Sequence, residues 1–307
     1  MTVEGFKNIV DQSLGAEEAD LVIKNVSLIN TRTGDIDVTD IAVCGDRIVG
    51  TYENYDKAKK TIDGTGLFAV PGFIDTHVHV ESSLITPLEF DRCVLPKGTT
   101  TAMCDPHEIA NVLGKEGIQY FLDSSMSTVM DLFVNLSSCV PATEFETSGA
   151  TLEVEDLLEF KTHPSVVALA EFMNIGGVLG KEDKVLKKLD AFSDGPIDGH
   201  LPGVTGHPLN AMAACGIRNC HESTSLKEAW EKMKKGIHVF IREGTAAKNS
   251  TELAGIITER TDSHVSICTD DRNPLEIAEQ GHLDFIIRNL IENGADPISV
   301  YLSLIHI

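Results

Sequence analysis

The chain has 307 residues, enough for one large core and a smaller accessory unit, and carries 47 acidic against 25 basic side chains, a formal charge of −22. Acidity scattered along the chain in this way aids solubility and repels nucleic-acid backbones and anionic membranes, so neither is expected as a partner. Seven cysteines with no Cys-x-x-Cys pair, a start without the basic-then-apolar layout of a leader, and no apolar run near the roughly 18 residues of a membrane helix point to a reduced, cytoplasmic setting.

Taken in order, residues 1–70 predict a small β domain. Leu21 to Ile29 alternates, Ile41 to Val43 and Arg47 to Tyr52 flank a Gly45-Asp46 turn, and Leu67 to Val70 leads onward. After Pro71 the texture changes to apolar β-like runs separated by amphipathic helical ones. The strands expected are Gly72 to Val80, Thr99 to Cys104, Leu132 to Ser137, Val166 to Phe172, Ile197 to Leu201, Arg218 to Glu222, His238 to Arg242 and His264 to Thr269. Helical spacing runs over Asp183 to Phe192, Leu226 to Lys235 and Leu275 to Glu292. Eight such units predict an α/β fold: a (β/α)8 TIM-like barrel over residues 71–302, with a small N-terminal β-sandwich-like domain and a tail, 303–307, of no assigned role. An open doubly wound sheet is the competitor, but no Gly-rich dinucleotide fingerprint or phosphate-binding loop follows a strand.

In a barrel of this kind chemistry collects at the carboxyl ends of the strands. The first strand ends in His77-Val78-His79, and side chains two apart on a strand point the same way, so both rings can reach one ion. Glu171 closes the fourth strand, His200 the fifth, His221 the sixth, and Asp270 follows the eighth. Each has an ordinary alternative: a capping carboxylate for Glu171, a turn residue for His200, a hydrogen-bonded core histidine for His221. Together, four imidazoles and two carboxylates suit a pair of divalent ions such as Mn2+, Fe2+ or Zn2+, and the lack of a thiolate argues against a structural zinc site. His107 and Glu108, after the second strand, either line the pocket or touch the metals, or else cap a helix or order a loop. Arg242 and Glu243, after the seventh, either bind substrate or pair with each other. Asp271 is expected behind the donor set. Cys104 and Cys268 read as core residues, and His163, His207, His238, His264 and His282 as structural or solvated ones.

These residues resemble a known family. Pro71-Gly-Phe-Ile-Asp-x-His-x-His is similar to the entry motif of the amidohydrolase superfamily. Asp105-Pro-His-Glu-Ile-Ala-Asn-Val, Ala170-Glu-Phe-Met-Asn, Asp198-Gly-His-Leu-Pro-Gly, Ile241-Arg-Glu-Gly-Thr-Ala-Ala-Lys-Asn and Cys268-Thr-Asp-Asp-Arg resemble blocks of the adenine deaminase family. The resemblance implies that His77, His79 and Asp270 hold one metal, His200 and His221 the other, and Glu171 links them, with a hydroxide bridging the ions. It implies hydrolysis of adenine to hypoxanthine and ammonia in purine salvage, Mn2+ or Fe2+ as the metals with Zn2+ as an option, and a homo-oligomer as the full-length state. Asp270 would carry a proton from the bridging hydroxide to the departing amino group, and Glu171 or a neighbour would protonate ring N1.

Many superfamily members bridge their metals with a carbamylated lysine on the fourth strand. Val166 to Asn174 contains none, and Lys161 and Lys181 fall outside it. That counts against the alternative of a cyclic amide hydrolase of the dihydroorotase or hydantoinase kind. Family members also continue beyond the point where this chain stops at Ile307, so a truncated carboxyl end and an incomplete β domain are expected. A noncatalytic barrel, the remaining alternative, predicts eroded ligands, whereas competent donors occupy all six positions.

Overall fold

The computed structural model describes residues 2–305. It divides into two compact units, one ending at Pro71 and the other beginning at Gly72. The tail expected at 303–307 therefore lies partly outside the described residues; of it, Ser303 and Leu304 are buried.

The first unit opens with a helix the sequence analysis did not anticipate, α1 (Val3–Ser13), capped by Thr2, whose side chain accepts from Gly5 N–H. A five-stranded mixed sheet follows: β1 (Leu21–Ile29), β2 (Ile36–Cys44), β3 (Arg47–Tyr52), β4 (Thr61–Asp63) and β5 (Phe68–Ala69). β1 has the expected bounds, whereas β2 extends well beyond Ile41 to Val43, the two pairing from Leu21↔Val43 to Ile29↔Ile36. The ladder is interrupted between Ile23 and Val26, where Asn25 takes φ 54°, a conformation asparagine tolerates better than most residues. Asp40 closes this bulge by accepting from the N–H groups of Asn25 (3.0 Å) and Tyr55 (3.1 Å) and from Lys24 Nζ (2.5 Å).

The second unit supplies eight barrel strands. β6 (Phe73–Val78), β7 (Thr99–Cys104), β8 (Asp131–Leu136), β9 (Val166–Phe172) and β10 (Ile197–Gly199) form one parallel sheet. β11 (Asn219–Cys220), β12 (His238–Arg242) and β13 (Val265–Cys268) form another. Hydrogen bonds join the two sheets into a TIM-like barrel: Arg218 N–H donates to Ile197 O (3.2 Å), and at the other seam Asp270 N–H donates to His77 O (3.0 Å) and His79 N–H to Asp270 O (3.1 Å). The expected strand ends overran where donors begin. The segments after Gly199 and Cys220 leave the ladder early, because each must turn to present His200 and His221.

Helices lie between the strands, several started by a capping side chain followed by proline: Thr86-Pro87, Asn273-Pro274 and Asp296-Pro297. The single helix expected over Leu275 to Glu292 is two, Pro274–Glu279 and Leu283–Glu292. Gly281 at φ +119° breaks it, and its Cβ would meet the Asp284 carboxylate at 2.5 Å. Among the described residues, no helix is long and apolar enough to cross a membrane.

Candidate metal centre

β6 delivers His77 and His79 to one spot, with ring centroids 4.8 Å apart. His77 Nδ1–H donates to Asp198 Oδ2 (2.8 Å) and His79 Nδ1–H to the backbone oxygen of Asp105 (2.9 Å). Both bonds fix the ring tautomers and leave Nε2 with a lone pair. The two Nε2 atoms face each other at 3.2 Å. Two bare lone pairs repel at that separation, but nitrogens bound at about 2.0–2.1 Å to one tetrahedral ion stand roughly 3.3 Å apart. The pair therefore fits a shared cation.

Glu171, at the end of β9, faces two ways. Its Oε1 lies 3.4 Å from His79 Nε2, while its Oε2 lies 2.6 Å from His200 Nδ1 and 3.3 Å from His221 Nε2. Its peptide is clamped on both sides: Glu171 N–H donates to Asp105 Oδ2 (3.3 Å), and Ser138 Oγ donates to Glu171 O (2.6 Å). The His221 ring stacks on His77 with centroids 4.0 Å apart. Asp270 Oδ1 stands 3.6 Å from His77 Nε2 and 3.4 Å from His79 Nε2. The donor atoms thus gather in overlapping groups: His77, His79, Asp105 and Glu171; His77, His221 and Asp270; and Glu171, His200 and His221, each within 4.8 Å. All are buried except His200, which is partly open.

The electrostatics favour positive charge at this spot. Burial would push His77 and His79 down, yet the carboxylates around them outweigh it and hold both well above the ordinary imidazole range: Asp198 and Asp270 for His77, Glu108 and Glu171 for His79. Burial likewise disfavours the charged forms of Glu171 and Asp270, but the neighbouring histidines hold both carboxyls below their usual range. An oxygen and nitrogen cluster of this kind, with anionic carboxylates and no thiolate, suits one or two divalent cations.

The other expected site residues divide. His107 Nδ1 stands 2.6 Å from Asp105 Oδ1, within ion-pair distance, and its Nε2 accepts from Cys139 N–H (3.2 Å). Glu108, half exposed, reaches His79 Nδ1 at 3.3 Å. The Arg242 guanidinium lies between Glu222 and Asp270. Glu243 turns its carboxylate onto the N–H (3.0 Å) and hydroxyl (2.7 Å) of Ser250.

Asp198, Asp105 and Glu222 join the cluster without having been candidate site residues. Asp198 carried a signal, because it stands two residues before His200 as His77 stands before His79. Asp105 and Glu222 directly follow strand or donor residues, but nothing local tells such carboxylates from solvated ones. Asp75 beneath the site is wholly buried, and burial raises its carboxyl to about 6 despite hydrogen bonds from Thr269 and the His77 N–H.

The amidohydrolase family model matches residues 68–301. An adenine deaminase 1 of Rhizobium meliloti (strain 1021) is 56% identical over 298 residues, spanning 97% of this chain and 53% of that protein. An adenine deaminase of Gluconobacter oxydans (strain 621H) is 58% identical over 292 residues, spanning 95% and 52%. The chain thus spans about half the length of the curated relatives it matches. Among solved structures, a dihydroorotase aligns with a TM-score of 0.67 at 16% identity over 93% of this chain and 81% of its own. A triazine hydrolase from Arthobacter aurescens aligns at 0.60 with 16% identity, over 93% and 82%. At those identities the likeness concerns the fold.

Proposed function

The chain belongs to the amidohydrolase family, and from that premise we propose that its barrel hydrolyses adenine to hypoxanthine and ammonia. One observation carries the reading: the two oxygens of Glu171 face different histidines, Oε1 toward His79 and Oε2 toward His200 and His221. A carboxylate so disposed on β9 could do the bridging that a carbamylated lysine does in many members of the superfamily, and β9 holds no lysine. The similarity to adenine deaminases over nearly all of this chain supports the same branch.

In this proposal His77, His79 and Asp270 would hold one divalent ion, His200 and His221 the other, and Glu171 would serve both, with Mn2+ or Fe2+ as the metals and Zn2+ as a third option. Such ions would acidify water from a pKa near 16 to about 7 and stabilise negative charge developing on the attacked ring. The residues do the rest. Asp270, ionised and aimed by Oδ1 at the histidine pair, takes a proton from the water that attacks C6 and returns it to the amino nitrogen as the C6–N bond breaks. Glu108, half open beside His79, is the carboxylate placed to meet the purine edge. His107 braces Asp105, and through it the Glu171 peptide.

The test is direct. Protein loaded with Mn2+ or Fe2+ is given adenine while ammonia and the purine ultraviolet shift are followed. Stoichiometric ammonia and hypoxanthine support the reading. Ring opening of dihydroorotate or a hydantoin, with no action on adenine, overturns it.

A further inference from the structure

Three neighbouring strands of the barrel, β11, β12 and β13, end in a charged triad. Glu222 follows β11 by two residues, Arg242 closes β12, and Asp270 follows β13 by two. Because β12 is the central strand of the three, its terminal side chain must lie between the other two. Arg242 Nη1 donates to Glu222 Oε1 and, at 2.9 Å, to Asp270 Oδ2. Nη2 donates to Glu222 Oε2 at 3.0 Å, and Nε reaches Asn249 Oδ1 at 3.5 Å. Arg242 is 8% exposed, and these contacts leave little of its fork for a ligand.

The two carboxylates it joins belong to different halves of the donor cluster. Glu222 Oε1 stands 3.4 Å from His221 Nε2 and 3.6 Å from His200 Nδ1, whereas Asp270 turns its other oxygen to His77 and His79. Asp270 also needs holding, since its backbone sits at φ +56°, a left-handed region that aspartate enters more readily than most residues but still less readily than glycine. Two backbone bonds to β6 fix its main chain, and Arg242 fixes its side chain.

We propose that Arg242, tied down by Glu222, is a positioning residue that locks Asp270 with Oδ2 engaged and Oδ1 presented to the histidine pair, and that it is not a purine-binding residue. This rests on the deaminase reading for its kinetic arm, while its metal-binding arm stands without that reading. The planar fork grips Glu222 through two nitrogens while one of them also reaches Asp270, a fixed geometry that the single-point ammonium of lysine does not reproduce.

The experiment compares the parent with Arg242→Lys, Arg242→Met, Asp270→Asn and the double variant Arg242→Lys/Asp270→Asn. With adenine and Mn2+, the Arg242 variants should lose about 10- to 100-fold in kcat with KM changed less than about threefold. Lysine should recover more than methionine. Calorimetric titration of Mn2+ into metal-stripped protein should show Arg242→Lys weakening one binding event about tenfold. In the double variant neither quantity should fall further than in Asp270→Asn alone, because a residue acting through Asp270 has nothing left to position. Additive losses, or a raised KM at unchanged kcat, overturn the proposal. If Arg242→Lys does not fold, Glu222→Gln carries the same comparison, since it loosens the guanidinium without removing it. Should the parent bind Mn2+ but leave adenine untouched, the deaminase reading fails while the titration still decides the role of Arg242.

Discussion

The most informative perturbation of the donor cluster is removal of Asp198, which is 2% exposed and accepts His77 Nδ1–H at 2.8 Å. Asp198→Ala takes away the acceptor that fixes the His77 tautomer, and among the described residues no second acceptor stands by His77 Nδ1 to replace it. A hydrogen bond to a charged group contributes about 1.5–3 kcal/mol, so its loss from the metal-competent state corresponds to roughly 10- to 150-fold in Mn2+ affinity. The range measured for carboxylates behind histidine ligands, about 10- to 100-fold, agrees. Asp198→Asn keeps an acceptor oxygen without the charge and should cost less, about tenfold. Calorimetric titration of Mn2+ into metal-stripped protein reads both effects, with circular dichroism checking that the fold survives. A folded Asp198→Ala protein whose Mn2+ affinity lies within twofold of the parent would refute the reasoning that this bond prepares His77.

Other expectations follow from the same geometry. If the proposed pair of ions binds, Glu171→Gln should reduce Mn2+ stoichiometry from two to one, because a neutral amide is a poor bridge; two ions bound with parental affinity would contradict the bridging role. Asp270→Asn should fold normally, since asparagine tolerates the left-handed backbone, yet lose about 100- to 10,000-fold in turnover, whereas Asp270→Ala should also lose about 1 kcal/mol of stability, read from thermal melts. Gly199→Ala should destabilise the barrel by about 1–3 kcal/mol, because the added Cβ would lie 2.4 Å from Ile217 Cγ2 and 2.5 Å from Asn219 O; an unchanged melt would show that the seam yields. In the first unit, burial would raise Asp40, but the bond from Lys24 and the N–H groups of Asn25 and Tyr55 prevail and hold its carboxyl below the usual range. A depressed carboxyl contributes stability above its unfolded value of about 3.9 and loses it as pH falls through the lower folded value, so Asp40→Asn should flatten the acid limb of that unit's melting curve. An acid limb of parental steepness would rule this out.

Sequence alone determined the periodic and local features. Alternation of strand-like and helical runs specifies eight βα units, because each period must bury one face, and the i, i+2 spacing of His77 and His79 fixes a shared direction. The absence of lysine from β9 is likewise a plain reading of residues 166–174. The ends of elements were less legible. Gly281 breaks a helix whose apolar spacing continues through it, since the spacing records which face is buried and not what φ the chain adopts.

Only tertiary structure decided the partners of charged side chains. Asp198 lies 121 residues from His77, Glu222 lies 20 from Arg242, and Asp270 reaches β6 across the barrel seam. A carboxylate's neighbours depend on which strands lie side by side and in what register, so Asp198, Asp105 and Glu222 look like any solvated acid until the barrel closes around them. The same closure turns Arg242 from a free cation at a strand end into a group held between two carboxylates, because the strand that carries it has a neighbour on each side.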